Sequence, residues 1–201
     1  MQFEPNLHIA LFHPYPETAN NPRYGGLLIC GNLVLSFICR GEMPVNKEEF
    51  YQYALDSFRP TEAMLKMVPA DKLDWKPGPS FMTVGQLICH LSDGIGTELR
   101  MAVTNAWPKP EDMKQGQMPS CGVQEALNKL EKDKTTLREV LSGMSEEDFA
   151  DKILSVPWGW KSKTEKMALD FREHFTNHKM QLFTYLKLLG FPVNTETLYM
   201  G

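Results

Sequence analysis

Two histidines near the C-terminus, His174 and His178, have the residue type and the spacing for binding a metal ion. Apolar residues around them recur at three- and four-residue steps, which predicts a helix with one buried side. Imidazoles four residues apart on one face of a helix can point at a common centre, as in zinc sites. The alternative is two core histidines with satisfied hydrogen bonds, although two buried ionisable rings are costly without a common partner.

A third ligand must come from another segment, and His90 is the best candidate. The other histidines are His8, His13 and His90, and His90 lies in a second amphipathic segment, on the same side as its leucines. A single histidine on an apolar face is more often a core residue, so that interpretation stays open. A zinc peptidase helix would carry glutamate directly after the first histidine, whereas here Glu173 precedes His174, which excludes the peptidase motif.

Two aspartates have spacings that could bring them near these histidines. Asp170 is four residues before His174, and Asp93 is three residues after His90. Either carboxylate could accept a hydrogen bond from an imidazole N–H, and Asp170 could also be a fourth ligand. The alternative for both is a solvent-exposed carboxylate.

The composition excludes several classes of protein. The chain has 201 residues, of which 42% are hydrophobic and 23% charged, as expected for one globular domain with a substantial core. The net charge of −4 does not favour binding to nucleic acid. The four cysteines are scattered without a Cys-x-x-Cys pair, which indicates reduced thiols and a cytoplasmic protein. We expect Cys89 to be a packing residue, because one helical step turns it away from the face of His90.

Capping signals and apolar periodicity predict four main helices after residue 43. Asn46 with Glu49, Thr83 with Gln86, and Ser162 with Glu165 have the spacing of N-terminal caps. We expect the helices to begin after these residues and at Val123, with a kink at Pro60, a linker over 108–122 and a short turn after Ser145. The helix of His90 should extend to about Asn105, the third should run over Val123–Ser142, and the last should end at Leu189. Four long amphipathic helices imply a bundle.

Residues 1–42 do not share this regular pattern, so we divide the chain into an atypical leader, 1–42, and a helical domain, 43–201. Arg40-Gly41-Glu42 directly before Met43 can be encoded by a purine-rich ribosome-binding sequence, and our hypothesis is that the leader is translated upstream sequence. The alternative is an extra β-hairpin over 27–39. The apolar run at 27–39 is too short to span a bilayer and is a poor signal peptide.

Three motifs on separate helices give the chain a family resemblance. They are Leu73-Asp-Trp75-Lys-Pro77, Thr83-Val-Gly-Gln-Leu-Ile-Cys-His90-Leu and His174-x3-His178-Lys-Met-Gln181-Leu182. In this order and spacing they resemble the DinB/YfiT-like superfamily of metalloenzymes. The resemblance implies an all-α, up-down-down-up four-helix bundle, usually a homodimer. It also implies that His90, His174 and His178 bind a divalent metal, Zn2+, Ni2+ or Fe2+.

The resemblance also implies a chemistry. Members with known activity are S-transferases or isomerases that use low-molecular-weight thiols, so we expect a thiol and a small electrophile as partners, without nucleic acid or membrane. Three neutral imidazoles leave the charge of the metal intact, and a thiol bound at an open position would be held as thiolate. The same site could instead activate water for hydrolysis. A third alternative is a non-catalytic, metal-stabilised dimeric stress or binding protein.

Overall fold

The computed structural model describes residues 45–108 and 118–201, and the predictions for residues 1–42 and for most of the 108–122 linker lie outside these ranges. The described helices are α1 (Lys47–Met67), α2 (Val84–Ser92), α3 (Ile95–Thr104), α4 (Val123–Ser142), α5 (Glu146–Asp151), α6 (Thr164–Leu188) and α7 (Thr195–Tyr199). A 3-10 turn, Ala70–Lys72, follows α1. Two short strands, β1 (Ile153–Ser155) and β2 (Lys161–Lys163), pair in antiparallel fashion between α5 and α6.

The predicted all-α bundle is confirmed. Helix α1 packs against α4 and α6, and the α2–α3 segment packs against the same two helices. The buried interior is continuous across them and includes Phe50, Phe58, Leu87, Leu130 and Leu182. Within the described residues, no helix has both the length and the apolar character needed to cross a membrane.

Two of the predicted N-terminal caps are confirmed, and each forms a capping box. Asn46 accepts a hydrogen bond from the Glu49 amide at 2.9 Å, and the Glu49 carboxylate accepts one from the Asn46 amide. Thr83 and Gln86 make the same reciprocal pair at the start of α2, with 3.2 and 2.9 Å separations. These two caps fix where the first two helices begin, because each satisfies amide groups that have no partner within the helix.

The third predicted cap, the capping box of Ser162 with Glu165, is wrong. Ser162 lies in β2, where it pairs with Leu154, and α6 begins two residues later at Thr164 without a side-chain cap. The Glu165 carboxylate instead accepts a hydrogen bond from the Val45 amide at 2.7 Å. Pairing with β1 therefore overrides the local capping signal, and sequence reasoning missed this hairpin.

The helix of His90 does not extend to Asn105 as predicted. It ends at Ser92, and α3 begins at Ile95 after a break at Asp93 and Gly94. A side chain at Gly94 would come within 2.6 Å of the Phe175 ring on α6, so the chain passes close to α6 here. The break therefore gives α3 a separate start beside the histidines.

The start of α3 is held by a residue of another helix. Asp133 of α4 is 1% exposed and accepts hydrogen bonds from the amides of Gly96 and Thr97, at 3.0 and 2.7 Å. It also accepts one from the Thr97 hydroxyl at 2.7 Å. A Cβ at Gly96 would lie 2.2 Å from the Asp133 carbonyl oxygen, so glycine is what allows this close contact between the helices. The Asp133 carboxylate thus caps α3 and fixes its position in the bundle.

Candidate metal centre

The structure brings the three predicted histidines together. His174 and His178 project from neighbouring turns of α6, and His90 comes from the last turn of α2. The Nε2 atom of His178 lies 2.9 Å from Nε2 of His174 and 3.2 Å from Nε2 of His90. The candidate ligand atoms of all three lie within 4.8 Å of one another. Among the described histidine, cysteine and acidic residues, these three form the group that could hold a metal ion.

The spacing of these nitrogens fits a divalent metal. Imidazole nitrogens bind zinc at about 2.0–2.1 Å in tetrahedral sites, which places neighbouring nitrogens about 3.3 Å apart. The two measured separations, 2.9 and 3.2 Å, need to widen only slightly to reach that value. The donor set is three neutral nitrogens on two helices, which suits Zn2+, Ni2+ or Fe2+ rather than Mg2+ or Ca2+.

The outward-facing nitrogen of His174 has an acidic partner that sequence reasoning missed. Nδ1 of His174 lies 3.0 Å from Oε1 of Glu98, in the first turn of α3. The Glu98 side chain is only 17% exposed, and its second oxygen, Oε2, is buried without a hydrogen-bond partner in the described structure. This hydrogen bond raises the pKa of His174, against the opposing effect of burial. The carboxylate also orients the ring so that Nε2 faces the other histidines.

The outward-facing nitrogen of His178 has a neutral partner. Its Nδ1 atom lies 3.0 Å from Oε1 of Gln181, three residues later on α6. Burial lowers the pKa of His178, and the hydrogen bond to Gln181 only partly opposes this effect. An (i, i+3) pair on one helical face is visible in a sequence, so the spacing could have identified Gln181.

The pKa of His90 is lowered to about 4, mainly by burial and then by the charges of His178 and His174. Burial disfavours the charged imidazolium, and each neighbouring ring disfavours it further once protonated. His90 is therefore neutral at physiological pH, which is the form that binds a metal.

Neither predicted aspartate makes a hydrogen bond to an imidazole. Asp93 accepts a hydrogen bond from Lys129 at 2.6 Å, and it acts on His90 only through its charge. Asp170 pairs with Lys166 at 3.2 Å, one turn earlier on α6. Their lysine partners satisfy both carboxylates. Glu98 and Gln181 occupy the positions beside the histidines instead.

Lys179, next to His178, is buried although it carries a charge. It is 5% exposed, and its Nζ atom donates a hydrogen bond to the carbonyl oxygen of Leu198 at 3.1 Å. Burial lowers the pKa of this lysine. The reason is that α7, which packs against α1, places Leu198 beside this lysine, a contact that helical periodicity does not reveal.

The prediction that Cys89 is a packing residue is confirmed. Cys89 is 2% exposed, and its sulfur lies 3.4 Å from Nζ of Lys129, on the side of α2 that faces α4. Cys121 is also buried, and burial together with a hydrogen bond to Cys89 raises the pKa of the Cys121 thiol to about 12. A thiol with so high a pKa is protonated and poorly nucleophilic at neutral pH.

The histidines line a small cavity that also opens to solvent. Its walls are His90, Leu91, Asp93, Gly94, Glu98, His174, Phe175 and His178. The cavity has a volume of about 10 Å³, room for roughly one water-sized ligand. The His174 side chain is 34% exposed, so a larger molecule can approach from outside. The cavity can therefore hold a cation, and its open side would leave that cation accessible to a ligand from solvent.

The fold defines the class of protein, a helical bundle with three histidines clustered between two of its helices, and the sequence places the chain within one family. The family model described as the DinB superfamily matches residues 57–181, a range that contains all three histidines. The chain belongs to the DinB superfamily.

Solved structures agree with this assignment at the level of the fold. A DinB-like protein from Bacillus cereus has a TM-score of 0.60 at 18% identity, over 76% of this chain and 98% of its own. A DinB family member from Exiguobacterium sibiricum has a TM-score of 0.58 at 16% identity, over 75% and 96% of the two chains. A DinB-like protein from Bacillus subtilis has a TM-score of 0.55 at 16% identity, over 72% and 94%. Among curated proteins, no match is found.

Proposed function

We propose that this protein is a divalent-metal-dependent enzyme that transfers or isomerises small electrophiles with a low-molecular-weight thiol. His90, His174 and His178 would hold Zn2+, Ni2+ or Fe2+. When bound, the metal would supply a positive charge that keeps a thiol ionised at neutral pH. We further propose a cytoplasmic homodimer that acts on small molecules, without nucleic acid or membrane as a partner.

The observation that carries this proposal is a site of three candidate protein ligands that is open to solvent. Sites that serve only as structural supports usually have four protein ligands, whereas catalytic sites keep one position for water or substrate. Asp170, the aspartate that could have closed the site, is paired with Lys166 instead. Three protein ligands at a site that is open to solvent therefore favour catalysis over a purely structural role.

The protein's own thiols support a mechanism in which the nucleophile comes from outside. Cys89 and Cys121 are both buried and lie together with Lys129, outside the group that lines the histidine cavity. An external thiol would have to lose its proton, and the histidines would orient it by holding the metal. Within the described residues, no other cysteine side chain is present to take this role.

The experiment combines metal analysis with a turnover assay. The purified full chain is loaded with Zn2+, Ni2+ or Fe2+ and assayed for conjugation of a generic electrophile with bacillithiol, mycothiol or glutathione. We expect about one metal ion per chain, turnover that a chelator removes, and loss of both metal and turnover in His178→Ala. Cys89→Ser and Cys121→Ser are the matched controls and should retain turnover, since neither thiol would react.

Two outcomes would overturn the thiol proposal. Full metal occupancy without turnover by any of the three thiols would favour hydrolysis, if an ester or amide is cleaved, or the non-catalytic alternative, if nothing is. Loss of turnover in Cys89→Ser with unchanged metal content would make Cys89 the nucleophile. A chain that binds no metal would refute the role of the triad itself.

A further inference from the structure

A chain of hydrogen bonds runs from the start of α2 to the metal-facing ring of His178. The Tyr185 hydroxyl donates to the carbonyl oxygen of Met82 at 3.0 Å, directly before the Thr83 cap. The Gln181 side-chain amide donates to the Tyr185 oxygen at 3.1 Å. The Gln181 carbonyl oxygen, in turn, faces Nδ1 of His178 at 3.0 Å. Met82, Tyr185, Gln181 and His178 form what we call the relay.

The direction of every bond in the relay follows from its first member. A backbone carbonyl oxygen can only accept, so the single hydrogen of the Tyr185 hydroxyl must point at Met82. The Tyr185 oxygen can then only accept from Gln181, so the amide nitrogen of Gln181 faces the tyrosine. Because the two ends of an amide are opposed, the Gln181 oxygen must face His178.

The last step determines which nitrogen of His178 carries its proton. An amide oxygen cannot donate, so Nδ1 of His178 must carry a hydrogen to complete the bond. In a neutral imidazole the other nitrogen then has a free lone pair. That nitrogen is Nε2, the atom that lies 2.9 Å and 3.2 Å from the facing nitrogens of His174 and His90.

We propose that Tyr185 and Gln181 are positioning residues that hold His178 in the Nδ1–H tautomer, with Nε2 ready to bind a cation. Tyr185 is suited to this role because it is rigid. It is 2% exposed, and its ring packs edge-on against Trp75 with the ring centroids 5.5 Å apart. Gln181 alone could rotate its amide and offer nitrogen to His178, which would favour the wrong tautomer. The buried hydroxyl removes that freedom.

The relay also explains how α6 and α2 are kept in register at the site. Met82 is the residue before the α2 cap, and His90 lies at the other end of the same helix. The hydrogen bond from Tyr185 therefore ties α6 to the beginning of α2, while the histidines meet at its end. This inference rests on the proposed metal-binding role of His178, but the tautomer it predicts can be observed without any metal.

The first test is nitrogen NMR of the metal-free full chain labelled at histidine, with His178→Gln to assign the His178 signals. We expect the His178 ring to show a protonated Nδ1 in the wild type, and Tyr185→Phe to shift its population toward the Nε2–H tautomer. Gln181→Leu should do the same. Tyr53→Phe, at an exposed tyrosine of α1, is the matched control and should change nothing. An Nε2–H tautomer in the wild type, or spectra unaffected by Tyr185→Phe, would overturn the proposal.

The second test is a double-mutant cycle on the dissociation constant of Zn2+, measured by chelator competition. Loss of a residue that orients a ligand typically weakens metal binding about 10–100-fold, so we expect at least about tenfold for Gln181→Leu. We expect a smaller loss for Tyr185→Phe, and no further loss when it is added to Gln181→Leu, because Tyr185 acts through Gln181.

If Tyr185→Phe weakened Zn2+ binding as much in the Gln181→Leu variant as in the wild type, Tyr185 would act by packing and the relay would be refuted. A purely structural role would lower the melting temperature of Tyr185→Phe while leaving the His178 tautomer as in the wild type. If the wild type bound no metal, the proposed function would fail, yet the NMR experiment would still decide whether the relay sets the tautomer.

Discussion

Replacing Glu98 with glutamine tests how much the carboxylate beside His174 contributes to metal binding. The change keeps an oxygen that can accept from Nδ1 of His174, 3.0 Å away, but it removes the negative charge. A hydrogen bond to a charged group contributes about 1.5–3 kcal/mol, against about 0.5–1.5 kcal/mol for a neutral pair. The difference of about 1–1.5 kcal/mol corresponds to a dissociation constant for the metal that is roughly tenfold larger. Little solvent screening is expected, because the Glu98 side chain is 17% exposed.

The loss should depend on pH in a defined direction. Glu98 raises the pKa of His174, so in the wild type protons compete with the metal for His174 as the pH falls through that value. In Glu98→Gln the main cause of the raised His174 pKa is removed, and burial then lowers the pKa of His174. The variant should therefore bind Zn2+ about tenfold more weakly than the wild type near pH 8, with a smaller difference near pH 6.

The assay is chelator competition with Zn2+ on the metal-free chain at several pH values. Glu147→Gln, at an exposed carboxylate of α5, is the matched control and should bind like the wild type at every pH. Equal affinities of Glu98→Gln and the wild type near pH 8 would refute the carboxylate's role. A loss that is the same at every pH would show that Glu98 orients His174 without changing its protonation.

Three further predictions concern stability. The pKa of His90 is lowered to about 4, so the unfolded chain takes up a proton at this residue between about pH 6.5 and pH 4 that the folded chain does not. His90 alone should therefore cost the metal-free protein about 3 kcal/mol of stability over this range. His90→Leu should remove that share of the loss, as measured by urea unfolding at several pH values. Gly96→Ala should lower the free energy of unfolding by about 2–4 kcal/mol, because its Cβ would meet the α4 backbone at 2.2 Å. The control, Gly143→Ala, has its nearest contact at 3.4 Å and should change stability by less than about 1 kcal/mol. Equal effects of the two substitutions would contradict the close-contact argument. A chain that starts at Met43 should fold, and a melting temperature more than about 10 °C below that of the full chain would make the leader a packed element.

Features set by neighbouring residues were predictable from the sequence. The caps of α1 and α2 depend on residues three positions apart, and both form as expected. The pairing of His174 with His178 likewise depends on one turn of one helix. Apolar periodicity was enough to predict the bundle, because the buried faces of the helices must pack against one another.

Features that depend on contacts between helices were not predictable in this way. The break after Ser92 reflects the Phe175 ring against Gly94 and the Asp133 carboxylate from α4, neither of which is near in sequence. The same break creates the first turn of α3, where Glu98 meets His174. Asp93 was a reasonable candidate by spacing, but Lys129 of α4, distant in sequence, pairs with its carboxylate. Asp170 differs, because it pairs with Lys166 four residues earlier on the same helix, and that spacing is visible in the sequence.

The hydrogen bonds around the triad imply that a bound metal would replace a proton. His174 and His178 both direct Nδ1 outward, to Glu98 and Gln181, so their Nε2 atoms face each other at 2.9 Å. Two lone pairs would repel at that distance, and a hydrogen bond between them requires one proton. Glu98 makes His174 the better site for the charge, since its carboxylate favours the imidazolium. A divalent cation at the same place satisfies both nitrogens without that proton. Glu98 would therefore have two opposing effects on metal binding. Its carboxylate orients His174 for a metal, but in the metal-free site it also stabilises the proton that the metal would displace.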